Sequence, residues 1–203
     1  MEVKNKILAK SEELFLKYGL KSVTMDDLAK QLGVSKKTLY QFVDNKADLI
    51  QQIIDAHIES EKALMVQLQQ DSEDAVEEMI AIARYAIKEV KKLTPTLIYD
   101  LQKYYQDTWQ LIQNLHSVHT YSIIKNNIER GIEQGVYRPD INADIIAKIY
   151  VLSTLAVIEE TTFPLKEYNK EQLFIEFIKY HLQGITSERG FVLYKKHLNK
   201  RKE

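Results

Sequence analysis

The chain has 203 residues, 45% hydrophobic and 28% charged, with a formal net charge of −1 and no cysteine. That length can bury a real core in one or two domains, and the lack of cysteine excludes disulfides and thiol chemistry. No apolar run reaches the roughly 18 residues of a membrane span, and the N-terminus MEVKNKILAK has no secretory apolar core, so a soluble cytoplasmic protein without membrane contact is expected.

Only three prolines and six glycines punctuate the chain, and they fall at element ends. An all-α fold is therefore expected, with residues 1–46 forming a helix-turn-helix three-helix domain. Residues 47–203 should form a larger helical domain. The first helix should cover 3–18, closed by Gly19. Thr24 begins the second, with Asp27 at capping-box spacing. Leu28, Ala29 and Leu32 share its apolar face, and Gly33 ends it in a left-handed conformation that carries no Cβ penalty. Val34 fills the gap between helices, and Ser35 caps a third helix over 36–42. Leu39 faces the core, which leaves Lys36, Lys37, Thr38, Tyr40 and Gln41 to face outward. Such a surface suits a DNA major groove, although a plain helical hairpin has the same outline.

Residues 4–50 resemble the DNA-binding domain of the tetracycline-repressor (TetR) family of bacterial regulators. Ile7, Leu8, Leu14, Phe15 and Gly19 fit its first helix, with Ser11 where alanine is usual. Thr24, Leu28, Ala29, Gly33, Val34 and Ser35 fit its helix-turn-helix. Thr38-Leu39-Tyr40 followed by Lys46 fits its recognition-helix signature. The family usually has His or Tyr and then Phe where this chain has Phe42 and Val43, which predicts local repacking. Affinity should come first from phosphates. Thr24 offers a hydroxyl and backbone N–H groups, Tyr40 a hydroxyl and Lys46 a charge. Base reading falls to Lys36, Lys37, Thr38 and Gln41. There is no arginine before Arg84, so the guanidinium fork on guanine is unavailable here. Residues 1–50 hold nine lysines against seven carboxylates, too small an excess to prove DNA binding.

A fourth helix should start near Lys46, capped by Asn45 or Asp44, and run to a polar break at 70–72. Ser72 caps the next, which carries Val76, Met79, Ile80, Ala83 and Ile87 at helical spacing. Thr94-Pro95 is a cap followed by proline in the first turn. The pattern then stays helical to Gln134, with a break the sequence does not place. Residues 85–121 hold the aromatic and imidazole side chains for a pocket, with Tyr85, Tyr99, Tyr105, Trp109, His116 and Tyr121 as its candidate lining. Core packing is the competing reading for each. The resemblance implies an effector cavity here, and an apolar or aromatic small molecule is the expected effector. His116 and His119 are three apart, but no carboxylate or thiol completes a metal site, so neither a metal nor a cofactor is expected. No catalytic acid–base set is legible.

Asn142 should cap a helix to about Thr162, and Asn169 a last long helix to Gly184, with a frayed basic end over 195–203. Residues 145–158, IIAKIYVLSTLAVI, are apolar on every side and must be buried all round. One face on the chain's own core and the other on a second copy gives a two-fold four-helix interface, with a buried central helix in a lone domain as the competing reading. The resemblance implies the same pair of helices, with Ile146, Ile149, Tyr150, Ser153, Phe174, Phe177, Ile178 and His181 as candidate interface residues. The expected function is a ligand-responsive transcription regulator. It is most often a repressor in this family, and it binds a palindromic double-stranded operator as a homodimer. An activator, a regulator controlled by a protein partner, and a helical enzyme or interaction module with an incidental helix-turn-helix are the alternatives.

Overall fold

A computed structural model describes residues 2–159, 162–164 and 166–199. Among these are ten helices and no strand, with one isolated antiparallel bridge between Tyr137 and Thr186. By packing, the chain divides into two compact units. The first is Met1–Ala63 with Lys92–Asn114, and the second is Leu64–Lys91 with Leu115–Glu203. This division by packing differs from the division by function expected at 46/47.

The first unit opens with α1 (Glu2–Tyr18), stopped by Gly19 at φ 84°. α2 (Met25–Leu32) and α3 (Lys36–Leu39) follow, then the start of α4 (Lys46–Asp71). Asn45 caps α4 through the Asp48 N–H at 3.0 Å. α6 (Pro95–Tyr104) is capped by Thr94 and adds Leu97 and Leu101 to the same core as Ile7, Phe15, Leu28 and Leu39. The break left open between 95 and 134 falls at Tyr105, where φ −134° and ψ 52° separate α6 from α7 (Gln106–Glu133).

The second unit holds α5 (Ala75–Lys92) except its last residue, the later part of α7, α8 (Ala143–Ile158), α9 (Lys170–Ile185) and α10 (Glu188–Asn199). Its core includes Val76, Met79, Ile124, Ile128, Tyr150, Phe174 and Leu182. A buried polar knot ties α5 to the end of α7. The Glu78 carboxylate, 3% exposed, accepts hydrogen bonds from the Asn127 amide and the Arg130 guanidinium. Burial raises the Glu78 pKa, and these two donors oppose the rise. Tyr137, 1% exposed, places its hydroxyl 2.9 Å from the Ala75 carbonyl and 3.0 Å from Asn127 Oδ1.

Four expectations need correction. The third helix ends at Leu39. Gln41 and Phe42 N–H groups bond back only three residues, to Thr38 and Leu39 carbonyls. That tighter turn swings Val43 into the core, where it is 3% exposed. Asp74, not Ser72, caps α5. Its Oδ1 accepts from the Val76 and Glu77 N–H groups at 2.9 Å, while Ser72 donates to the Leu68 carbonyl at 2.6 Å. A carboxylate is the better match for the positive end of a helix. The helix over 142–162 stops at Ile158, with Glu159 extended at ψ 121°. The expected frayed end is helical through Asn199, with Tyr194 and His197 buried; residues 200–203 lie outside the described residues.

Candidate nucleic-acid interface

Local chemistry builds the helix-turn-helix. Thr24 Oγ1 accepts the Asp27 N–H at 3.1 Å, and Asp27 Oδ2 accepts the Thr24 N–H at 2.9 Å, which completes the capping box. The Thr24 hydroxyl also donates to Asp27 at 2.6 Å, and these bonds hold the Asp27 carboxyl below its ordinary value. Gly33 takes φ 67°, and its N–H reaches the Ala29 and Lys30 carbonyls. A side chain there would strain the αL backbone even though no atom lies near its Cβ. Ser35 Oγ then accepts the Thr38 N–H at 3.0 Å and shares a 2.8 Å bond with the Thr38 hydroxyl.

Leu28 and Leu39, each 0% exposed, fasten the two helices to the first unit's core. Around Leu39 the side chains of Lys36, Lys37, Tyr40 and Gln41 stand exposed, and Thr38 is half-buried. Lys36 forms a 2.7 Å ion pair with Asp26. Its ammonium is held charged above the ordinary value, first by that hydrogen bond. Lys46 sits differently from the rest. Its half-buried ammonium donates to the Leu20 carbonyl and lies 5.7 Å from the Phe15 ring centre. Desolvation lowers its pKa. In this conformation the charge expected on a phosphate is turned toward the protein.

A contact that the sequence did not reveal holds the turn ahead of α2. Asp100 of α6, 4% exposed, accepts the Lys21 N–H at 2.8 Å. A Cβ on Gly19 would meet Asp100 Oδ2 at 3.3 Å and Thr96 Cγ2 at 3.1 Å. The partners lie 79 positions apart, and no local signal joins them.

The expected effector residues fall in both units. Tyr99, Tyr105 and Trp109 belong to the first. Tyr105 and Trp109 pack on its core, and Tyr99 is exposed with an edge-on contact to Tyr104. Tyr85 and Tyr121 belong to the second and pack on its core. The Tyr121 hydroxyl donates to Asp144 at 2.5 Å. His116 lies on α7, and its side chain is outside the described residues. Among the described residues no group of three or more His, Cys, Asp or Glu is placed to hold a metal, and no helix is long and apolar enough to cross a membrane.

The expected interface residues divide by depth. Tyr150, Phe174, Ile178 and His181 are 1–7% exposed within a single chain. They form its own core, with the Tyr150 ring 4.9 Å from His181 and 5.0 Å from Phe177. Burial alone pushes the His181 pKa down to about 4. Ile146, Ser153 and Phe177 are half-buried. Ile149 is exposed, and the outward apolar row of α8 is Ile145, Ile149 and Leu152 at 53%, 50% and 67% exposure.

Residues 7–53 match the family model described as bacterial regulatory proteins, tetR family. An uncharacterized HTH-type transcriptional regulator of Bacillus subtilis (strain 168), YhgD, is 29% identical over 160 residues, covering 73% of this chain and 80% of the relative. A second from the same organism, YvaF, is 24% identical over 185 residues, covering 90% and 95%. The crystal structure of a TetR-family regulator from Agrobacterium tumefaciens shares the fold at a TM-score of 0.71, with 18% identity and coverage of 92% and 98%.

Proposed function

We propose that the chain is a DNA-binding transcriptional regulator of the TetR family, acting as a homodimeric repressor that reads a palindromic operator and releases it when an apolar or aromatic small molecule binds. The observation that carries DNA reading is the exposed set Lys36, Lys37, Tyr40 and Gln41 around a fully buried Leu39. A rigid core residue sets the angle at which those side chains meet a groove. Tyr40 and the α2 start at Thr24 supply donors for phosphates, and Lys36, Lys37 and Gln41 reach base edges.

Dimerisation is supported by the Ile145, Ile149 and Leu152 row, which leaves large apolar side chains in water on a lone chain. A two-fold pairing through α8 and α9 covers it. An effector acts by binding the DNA-incompetent state more tightly, and a coupling of about 1–3 kcal/mol lowers operator affinity roughly 5–150-fold.

Selection of bound sequences from a random duplex library by the full chain tests the reading. Enriched inverted repeats with half-sites about 34–36 Å apart are expected. Enrichment of single, unpaired sites would refute the dimeric operator, and no enrichment would refute operator reading altogether.

A further inference from the structure

Lysines and tyrosines gather on the first unit outside the helix-turn-helix. Lys21 Nζ donates to the Tyr104 hydroxyl at 3.0 Å and lies 4.7 Å from that ring's centre. Lys103 Nζ donates to the Tyr99 hydroxyl at 2.5 Å and lies 5.0 Å from the Tyr99 centre and 5.6 Å from the Tyr104 centre. The two rings meet edge-on at 6.4 Å. All four side chains are exposed. The acidic residue among them, Asp100, is buried and committed to the Lys21 N–H. The outward surface of this cluster therefore carries cations and hydroxyls, while its carboxylate faces the protein.

We infer that the Lys21–Tyr104 and Lys103–Tyr99 pairs form a second DNA contact, which grips the phosphate backbone beside the half-site read by the helix-turn-helix. The inference rests on the operator reading proposed above. Three arguments select this occupant. Each lysine uses one N–H on a phenol oxygen and keeps two, and each phenol keeps its own O–H, so each pair can offer donors of both kinds to anionic oxygens. Two such pairs side by side suit a chain of phosphates better than a single anion. The cluster also adjoins the reading module, because Lys21 lies three residues before Thr24, the cap of α2.

The test uses the full chain and a selected operator in two forms, one trimmed to the palindrome and one extended by about one helical turn on each side. Affinity is measured across a salt series for the wild type, for Lys21→Gln with Lys103→Gln, and for Lys125→Gln with Lys195→Gln as a charge-matched control in the second unit. Each lost phosphate contact flattens the log–log salt slope by about 0.9. The first variant should lose roughly two units of slope per bound chain on the extended duplex and almost none on the trimmed one, and the control should lose none on either. Tyr99→Phe with Tyr104→Phe should weaken the extended duplex roughly three- to tenfold at unchanged slope. A wild-type slope in the Lys21, Lys103 variant on the extended duplex would overturn the inference alone. An equal loss on both duplexes would place these lysines inside the half-site and overturn the flank assignment. Failure of the wild type to bind any selected duplex would defeat the operator reading as well.

Discussion

Acidification should weaken the second unit through His181. This imidazole sits on α9 at 7% exposure, and its Nε2 is buried without a hydrogen-bond partner. The aromatic rings facing it are Tyr150 at 4.9 Å and Phe177 at 6.1 Å. Tyr150 is titratable, but burial raises its pKa, so it stays neutral and gives a cation no support. The folded-state pKa of His181 is pushed from 6.5 down to about 4. The unfolded chain therefore takes up the proton first as pH falls. Stability is full above about pH 6.5, declines below it, and stops declining below the folded pKa. At about 1.4 kcal/mol per pH unit the loss is about 2 kcal/mol at pH 5 and about 3 kcal/mol at full extent. Urea unfolding at fixed protein concentration, from pH 7.5 to 5, measures it for the wild type and for His181→Leu. The variant carries a constant packing cost, and the remaining titrations cancel in the difference. The wild type should lose about 2 kcal/mol relative to the variant across this range. A difference that stays constant from pH 7.5 to 5 would refute the buried, neutral imidazole.

Leu152→Glu should leave the single chain folded, because this side chain is 67% exposed, yet break the dimer by burying a charge at its interface; light scattering that still reports a dimer would place the interface elsewhere. Gly190→Ala should destabilise by about 2 kcal/mol or more, because its Cβ would lie 1.8 Å from the Val136 carbonyl oxygen, and an unchanged melting temperature would mean α10 is not packed there. Tyr40→Phe should weaken binding to operator and scrambled duplex alike, whereas Gln41→Ala should change sequence preference. Titrations in which the two variants behave identically would refute that division of roles.

The features legible in the sequence are those set by chemistry within a few residues. The Thr24 box, the Gly33 turn, the Ser35 cap and the Thr94-Pro95 start each depend on neighbours inside one turn. Features decided by distant packing were not legible. Lys46 finds the Leu20 carbonyl 26 positions away, and Asp100 finds Lys21 across 79. α8 is apolar on all sides, so periodicity could not say which face turns inward. Ala147, Tyr150, Thr154 and Val157 took the inside, which left Ile145, Ile149 and Leu152 in water. α10 escaped notice because its ends look polar, yet Tyr194 and His197 are buried, with His197 Nε2 2.9 Å from Asp74. The aromatic residues of 85–121 read as one cluster along the chain, yet Tyr105 and Trp109 pack on one core, Tyr85 and Tyr121 on the other, and Tyr99 and Tyr104 are exposed.

Net charge was a poor guide to DNA binding for a reason the side chains make plain. Several carboxylates of the first fifty residues are engaged where a helix starts. Asp27 is tied to Thr24, and Asp48 accepts the Asp44 N–H at 2.8 Å and the Gln52 amide at 3.0 Å. Each lies near the positive end of a helix, which offsets part of its field. Glu13 is held by Lys10 at 2.7 Å on the exposed side of α1. Asp26 is the exception beside the reading surface, because it holds Lys36. Both partners are exposed to water, where a DNA anion or base edge can compete for the ammonium. Lys46 is harder to recruit. Swinging it to a phosphate would strip the half-buried Leu20 carbonyl contact at the turn that Asp100 fixes through Lys21. A phosphate contact by Lys46 would therefore be coupled to the geometry of that turn, whereas Lys37 and Gln41 stand at exposed positions, where a contact with DNA would leave the core undisturbed.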